Sequence, residues 1–213
     1  LLGEEMTDFE ALKAAGAVAV SVDGRPVPTA GQMEQAMIHA SRLGLKVLSH
    51  CEELSLTRGG IMNEGEVSRR LQVPGLCRGA EEIATAREIA LAAATGCPVH
   101  ICHVSTQGSV ALLRDARRRG VPVTGETAPH YFSLTDSLLE KRDADYRMNP
   151  PLRTRDDVLA VIEGLCDGTL SAIATDHAPH TPGDKADLLR APNEAVGLES
   201  SLAVGITYLV WPG

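Results

Sequence analysis

The sequence has few aromatic residues and no strong basic character. Three tyrosines, two phenylalanines and one tryptophan occur among 213 residues, so the core must be built from aliphatic side chains. The formal net charge of -8 leaves no basic face for a nucleic acid or an anionic membrane. Apolar runs are short, and no basic region followed by an apolar stretch opens the chain, so we expect no membrane span, no secretory signal and a cytoplasmic location.

Cysteine pairing is also missing. The five cysteines are odd in number and form no Cys-x-x-Cys motif, which argues against both a disulfide framework and a thiolate zinc knuckle. We expect reduced thiols that serve as small core residues. The cysteines are Cys51, Cys77, Cys97, Cys102 and Cys166.

Short runs rich in Val, Ile and Ala alternate with longer amphipathic stretches, which is typical of strand-helix units around a parallel sheet. The predicted strands are 17–23, 46–50, 98–103, 121–126 and 171–176. The predicted helices are 30–43, 80–94, 107–119 and 155–166, with Thr29 and Thr154 as candidate N-caps and a glycine close behind each last turn. The segments 52–78 and 181–196 are long enough to be active-site loops.

Four of the five predicted strands end on a residue that can bind a metal, namely Asp23, His50, His103 and Asp176. In a barrel of alternating strands and helices the carboxyl ends of the strands converge on one face, where such enzymes build their sites. Imidazoles and carboxylates suit Zn²⁺ or a similar divalent ion, which makes a water nucleophilic near neutral pH. We therefore predict a metal site at this face. A single histidine at a strand end would more often be structural.

The segment 174–180 is the most informative single stretch. Asp176 leaves a buried apolar strand, where an ionised carboxylate needs a metal, a proton or strong donors. Asp176 is therefore a candidate metal ligand and proton shuttle. His180 is a candidate substrate donor, with an exposed loop histidine as the alternative interpretation.

Four motifs together carry a family resemblance that runs from Gly3 to about Gly205. They are Ser49-His50-Cys51-Glu52, Ile101-Cys102-His103-Val104-Ser105-Thr106, Tyr146-Arg147-Met148-Asn149-Pro150-Pro151-Leu152-Arg153 and Ala174-Thr175-Asp176-His177-Ala178-Pro179-His180. They closely resemble bacterial class I dihydroorotases of the metal-dependent amidohydrolase superfamily. The last two motifs separate dihydroorotases fairly well from allantoinases and hydantoinases.

The resemblance implies an α/β fold, a (β/α)8 barrel of which residues 1–213 form one incomplete domain covering about strands 4 to 8. It implies a zinc enzyme, with one or two ions, that reversibly interconverts dihydroorotate and N-carbamoyl-aspartate in pyrimidine biosynthesis. By the same resemblance Asp23 is the metal-bridging carboxylate, and His50 and His103 bind the second metal. Asp176 binds the first metal and acts as the general base, while Asn149 and His180 bind substrate.

The chain departs from this pattern in four places. The family's strand-one motif His-x-His-x-Arg has no match and the C-terminal tail is absent, so we expect a fragment that is inactive alone and prone to association through open sheet edges. Glu53 stands where Asp is usual, which should alter little. Asn193-Glu194 replaces a substrate-contacting Phe-Gly pair, and Glu194 would repel a dianionic substrate unless it points away.

The sequence is compatible with two other functions. One is a non-catalytic dihydroorotase-like subunit that scaffolds aspartate carbamoyltransferase, which the loop change favours and the retained candidate ligands oppose. The other is a different cyclic amidase such as allantoinase, for which a lysine rather than Asp23 would be expected. A homodimer is a further possibility under any of these functions.

Overall fold

The described residues, 6–211 of a computed structural model, contain a five-stranded parallel sheet. Gly3, where the family resemblance starts, lies outside them. The strands β1 (Ala19–Val22), β2 (Lys46–Ser49), β5 (Val99–Ile101), β6 (Val123–Thr127) and β7 (Ala172–Ile173) lie side by side in that order. All four pairings are parallel, and all five predicted strands are present.

Helices connect successive strands and cover one face of the sheet. They are α2 (Ala30–Arg42), α4 (Gly79–Thr95), α5 (Gln107–Arg118) and α7 (Arg155–Cys166), which pack against one another in chain order. The Thr29 hydroxyl accepts a hydrogen bond from the Gln32 amide at 3.2 Å, and the Thr154 amide donates to the Asp157 carboxylate at 3.2 Å, so both predicted N-caps are confirmed. The glycine behind each helix adopts the left-handed conformation expected of a C-terminal cap.

The strand register gives the two faces of the sheet different environments. Val20, Val47, Val99 and Val123 form a buried row across four strands, facing the helices. The next row, which begins at the exposed Ser21 and passes through the half-buried His100, faces the other way. Because a closed barrel would enclose that second row, its exposure matches the expected partial barrel.

Shorter elements fill the connections. They are α1 (Phe9–Ala14), β3 (Met62–Asn63), α3 (Glu66–Leu71), β4 (Gly75–Leu76), α6 (Pro129–Ser133) and α8 (Ser201–Gly205), with 3₁₀ turns at Leu54–Leu56, Asp136–Lys141 and Ala144–Tyr146 and a π-helical turn at Ile206–Val210. The segment 52–78 is therefore not a simple loop, because β3 and β4 pair in parallel within it and pack with a second apolar cluster. None of the described helices is long and apolar enough to cross a bilayer.

The observed strands end earlier than the sequence predicts. Strand β7 was expected to continue to Asp176 but ends at Ile173, and β5 was expected to continue to His103 but ends at Ile101. Asp176 has φ 51° and His103 has φ 37°, so both residues turn out of the extended conformation that a ladder requires. Strand β6 begins after Pro122, which has no amide hydrogen to donate.

Candidate metal centre

Three of the four predicted metal ligands converge where adjacent strands end. Asp23 follows β1, His50 follows β2, and His103 lies two residues beyond β5. One ligand atom from each lies within 4.8 Å of the other two. The parallel order β1-β2-β5 produces this convergence, because neighbouring strands end at the same edge of the sheet.

The two imidazoles of this group face each other. His50 Nδ1 lies 2.9 Å from His103 Nε2, and the Asp23 Oδ1 atom lies 4.0 Å and 3.9 Å from these nitrogens. Both histidine side chains are buried, whereas the Asp23 carboxylate is 76% exposed. The donor set of two imidazoles and a carboxylate therefore opens to solvent on the side of Asp23 and fits a divalent ion with nitrogen and oxygen ligands.

The electrostatics of the group favour a charged pair between Asp23 and His103. The contact with His103, whose Nε2 atom lies 3.9 Å away, holds the pKa of Asp23 below its usual value, although burial opposes this. Burial alone would lower the pKa of His103, but the contact with Asp23 and the charge of Asp176 raise it above the usual value. The raised pKa means that His103 holds a proton whose positive charge balances Asp23 and Asp176. A bound metal cation would displace that proton and balance the same carboxylates.

The fourth predicted ligand lies in a neighbouring group. Ligand atoms of His130, Asp176 and Glu194 lie within 4.8 Å of one another. Burial, with a smaller contribution from the charge of His103, lowers the pKa of His130 to about 3, so its ring is neutral. Burial, followed by the charge of Asp176, raises the pKa of Glu194 to about 9. Asp176 is a predicted ligand, whereas His130 and Glu194 are not; Glu194 stands out in the sequence only as a departure from the family pattern, and nothing in the sequence marks His130.

Glu194 does not point away from the site. Its Oε1 atom accepts a hydrogen bond from the Asn149 amide at 2.7 Å, and its carboxyl group faces Asp176. Its φ of 71° lies in the left-handed region, which favours the glycine of the family pattern over glutamate. The loop that carries Glu194 is hydrogen-bonded to the segment that follows β7. His177 Nδ1 accepts hydrogen bonds from the Gly197 and Leu198 amides at 3.1 and 3.2 Å.

The two predicted substrate-binding residues both contact this loop, Asn149 through Glu194 and His180 through Asn193. Asn149 lies beside Glu52, which itself lies 3.6 Å from His50 Nε2. His180 is exposed, and its Nε2 atom contacts the Asn193 carbonyl oxygen at 2.9 Å. His130 and His180 both line an open cavity of about 430 Å³ that also borders Tyr146 and Lys185.

A buried ion pair between Glu81 and Arg153, neither of which is a predicted site residue, holds the loop after His103. Glu81 accepts hydrogen bonds from the amides of Ser105 and Thr106 at 3.0 and 3.1 Å and lies 3.3 Å from Arg153 Nη2. The Arg153 guanidinium also donates to Ser105 Oγ at 3.0 Å and to Asn63 at 3.1 Å. These bonds fix the loops that carry His103 and Asn149, and Arg153 belongs to one of the motifs of the resemblance.

The chain resembles known proteins in both sequence and structure. A family model described as dihydro-orotase-like matches residues 2–109. The chain belongs to the dihydro-orotase-like family. A dihydroorotase of Acetivibrio thermocellus is 51% identical over 212 residues, which is 99% of this chain and 50% of that protein. A dihydroorotase of Bacillus caldolyticus is 48% identical over 212 residues, again 99% of this chain and 50% of that protein.

Solved hydantoinase structures share the fold of this dihydro-orotase-like chain. A dihydropyrimidinase of Brevibacillus agri superposes with a TM-score of 0.79 at 27% identity, covering 92% of this chain and 46% of that one. A D-hydantoinase of Thermus sp. superposes with a TM-score of 0.80 at 24% identity, covering 96% and 48%. These relatives are barrel enzymes of which the chain spans about half, so the expected partial barrel is confirmed. The amidohydrolase relatives imply a metal, and the described residues contain two groups that can hold one.

Proposed function

We propose that the protein containing this chain is a zinc-dependent dihydroorotase that interconverts dihydroorotate and N-carbamoyl-aspartate. The observation that carries the proposal is the approach of Asp23, His50 and His103 to within 4.8 Å at three adjacent strand ends of a dihydro-orotase-like chain. The dihydroorotase relatives, at about half identity over nearly the whole chain, support the choice of substrate.

In the proposed reaction Asp23, His50 and His103 would hold a zinc ion, which polarises a carbonyl oxygen and lowers the pKa of water. Asp176 acts as the general base: it accepts a proton when water attacks the ring carbonyl carbon. The ring C–N bond then breaks, and Asp176 returns the proton to the leaving nitrogen. Asn149 and His180 would orient the substrate beside these groups. Ring closure follows the same steps in reverse.

The test is turnover of dihydroorotate, with bound zinc counted in the same preparation, in protein expressed from the complete reading frame. We expect turnover with zinc bound. Asp176→Asn should lower kcat by at least about 10²-fold, the usual contribution of a general base, while the ion at Asp23, His50 and His103 remains. Unchanged turnover in Asp176→Asn would remove Asp176 from the base role.

A second candidate is a non-catalytic subunit that scaffolds aspartate carbamoyltransferase. The inward position of Glu194 beside Asp176 favours it, because this carboxyl group occupies space next to the proposed base. Inactive, zinc-free protein that still co-purifies with the carbamoyltransferase would support this candidate over the enzyme. An allantoinase has no comparable observation in its favour. Size measurement of the same sample would test the homodimer.

A further inference from the structure

The Arg147 side chain holds the segment 181–196 in place. Its Nε atom donates a hydrogen bond to Asn193 Oδ1 at 2.9 Å, and its Nη1 atom donates to the Leu188 carbonyl oxygen at 2.9 Å. We propose that Arg147 is a positioning residue, which acts through Asn193 on the proposed substrate-binding residue His180. The inference deepens the proposed function and rests on it, because it requires that His180 contacts dihydroorotate.

Asn193 connects the Arg147 guanidinium with the His180 ring. The Asn193 side chain accepts the hydrogen bond from Arg147, and the Asn193 carbonyl oxygen accepts one from His180 Nε2 at 2.9 Å. His180 is exposed at the border of the cavity of about 430 Å³, so hydrogen bonds rather than close packing must orient its ring. Fixing the Asn193 side chain therefore fixes the carbonyl oxygen that orients the imidazole, and substrate binding depends on such orientation.

The backbone and a second cation attach the segment at further points. The Glu194 amide donates to the Arg147 carbonyl oxygen at 2.9 Å, so Arg147 is bonded to the segment through its main chain as well as its side chain. The Lys185 ammonium group donates to the Ala144 and Pro192 carbonyl oxygens at 3.2 and 2.9 Å. Of these two cations, Arg147 is the one that contacts the residue next to which His180 is held.

The bond between Arg147 and Asn193 depends on a residue at which this chain departs from the family pattern. Asn193 is one of the two residues that replace the Phe-Gly pair, and a phenylalanine ring offers no oxygen to Arg147 Nε. Loss of an acceptor at a partly buried guanidinium is costly, so asparagine suits this position better than phenylalanine does. The replacement therefore removes an apolar substrate contact and supplies a hydrogen bond that orients a polar one.

Trypsin cleavage after Lys185 measures this attachment without turnover, because the bonded ammonium group becomes available only when the segment opens. In protein from the complete reading frame, Arg147→Met and Asn193→Ala should be cleaved there about 5-fold faster, the effect of one lost hydrogen bond. Asn193→Asp keeps the acceptor oxygen and should be cleaved as slowly as the unaltered protein. Arg142→Met is the control, since Arg142 donates to the Leu71 carbonyl oxygen at 3.3 Å, outside the segment.

Dihydroorotate kinetics on the same variants test the effect on substrate. We expect Arg147→Met and Asn193→Ala to raise KM about 3- to 10-fold, the cost of ordering one side chain on binding, with kcat nearly unchanged. Arg142→Met should keep both constants. The double variant Arg147→Met/Asn193→Ala should raise KM no further than Arg147→Met alone, because the two residues act through one bond.

Asn193 is only half-buried, so Asn193→Ala decides the question if Arg147→Met fails to fold. The inference is overturned if Asn193→Ala is cleaved no faster than Arg142→Met, or if Asn193→Ala keeps the KM of the unaltered protein. Multiplied effects in the double variant would overturn it as well. These results leave the proposed function intact, since they are obtained with an active enzyme. Absence of turnover in the unaltered protein would instead contradict the proposed function, and the inference would be withdrawn with it.

Discussion

His50 Nδ1 and His103 Nε2 lie 2.9 Å apart, although 53 positions separate the two residues in the sequence. The approach is a consequence of topology, because β2 and β5 are neighbours and each histidine follows the carboxyl end of its strand. The two buried ring nitrogens also lie close to the exposed carboxylate of Asp23. Substitution of either histidine is therefore the most direct test of metal binding.

We expect His103→Ala to weaken zinc binding at the Asp23 group by more than about 100-fold, since loss of groups that merely support ligands already costs 10–100-fold. Titration of metal-free protein with Zn²⁺ measures the change. His39→Ala is the control, because His39 pairs with Glu10 on the surface. Equal zinc affinity in His103→Ala and His39→Ala would contradict the assignment.

The buried pair Glu81 and Arg153 should matter for stability as well as for loop position. Removing one partner leaves a buried charge uncompensated, so Arg153→Met is expected to lower the free energy of unfolding by about 3–5 kcal/mol. The double variant Glu81→Gln/Arg153→Met should lose less than the sum of the single losses. Chemical denaturation measures all three variants, with Arg118→Met at an exposed pair as the control. Additive losses would show that the pair is not coupled.

The repeating units of the fold are predictable from the sequence because their signals are local. The apolar runs mark all five strands, and Thr29 and Thr154 mark helix starts through hydrogen bonds within one turn. Strand ends are less predictable. A residue such as Asp176 looks like the last strand residue, but β7 ends at Ile173 and the backbone of Asp176 is left-handed, with φ 51°, a turn that no local pattern in the sequence marks.

The candidate site is predictable to the extent that its residues belong to motifs. Asp23, His50 and His103 follow from strand ends, whereas Glu81 looks like an ordinary acidic residue in the first turn of α4. Its role depends on Arg153, which is 72 residues away and reaches it only in the folded chain. The position of Glu194 beside His130 is equally unpredictable, since 64 positions separate the two residues and no local pattern brings them together.

Glu88 should give the stability of the protein a distinct dependence on pH. Burial raises its pKa above the usual value despite the contact with Arg87 at 2.6 Å. Because the folded state holds this proton more tightly than the unfolded state, the contribution to stability is present below about pH 4.5 and is lost as the pH rises through the folded pKa. Glu88→Gln should remove this decline.

The measurement for Glu88 is the difference in unfolding free energy between the unaltered protein and Glu88→Gln across pH 4–8. We expect the difference to shift in favour of Glu88→Gln as the pH rises. Glu199→Gln, at an exposed position, should show a difference that is flat over the same range. A flat difference for Glu88→Gln as well would mean that Arg87 fully compensates the buried charge.

The cysteines should differ widely in reactivity, because the thiolate is the reactive form and burial disfavours it. Burial, followed by the charge of Glu126, raises the pKa of Cys102 to about 12, and burial also raises the pKa of Cys97. Cys51 is buried, whereas Cys166 is exposed at the end of α7, so the expectation that all five thiols are core residues is wrong for Cys166.

Iodoacetamide at pH 8 should therefore modify Cys166 first and leave Cys51 and Cys102 unmodified until the protein unfolds. Mass spectrometry of peptides over time measures the order, and Cys166→Ser should abolish the fast phase. Fast modification of Cys102 in folded protein would mean that the sheet end beside His103 opens to solvent.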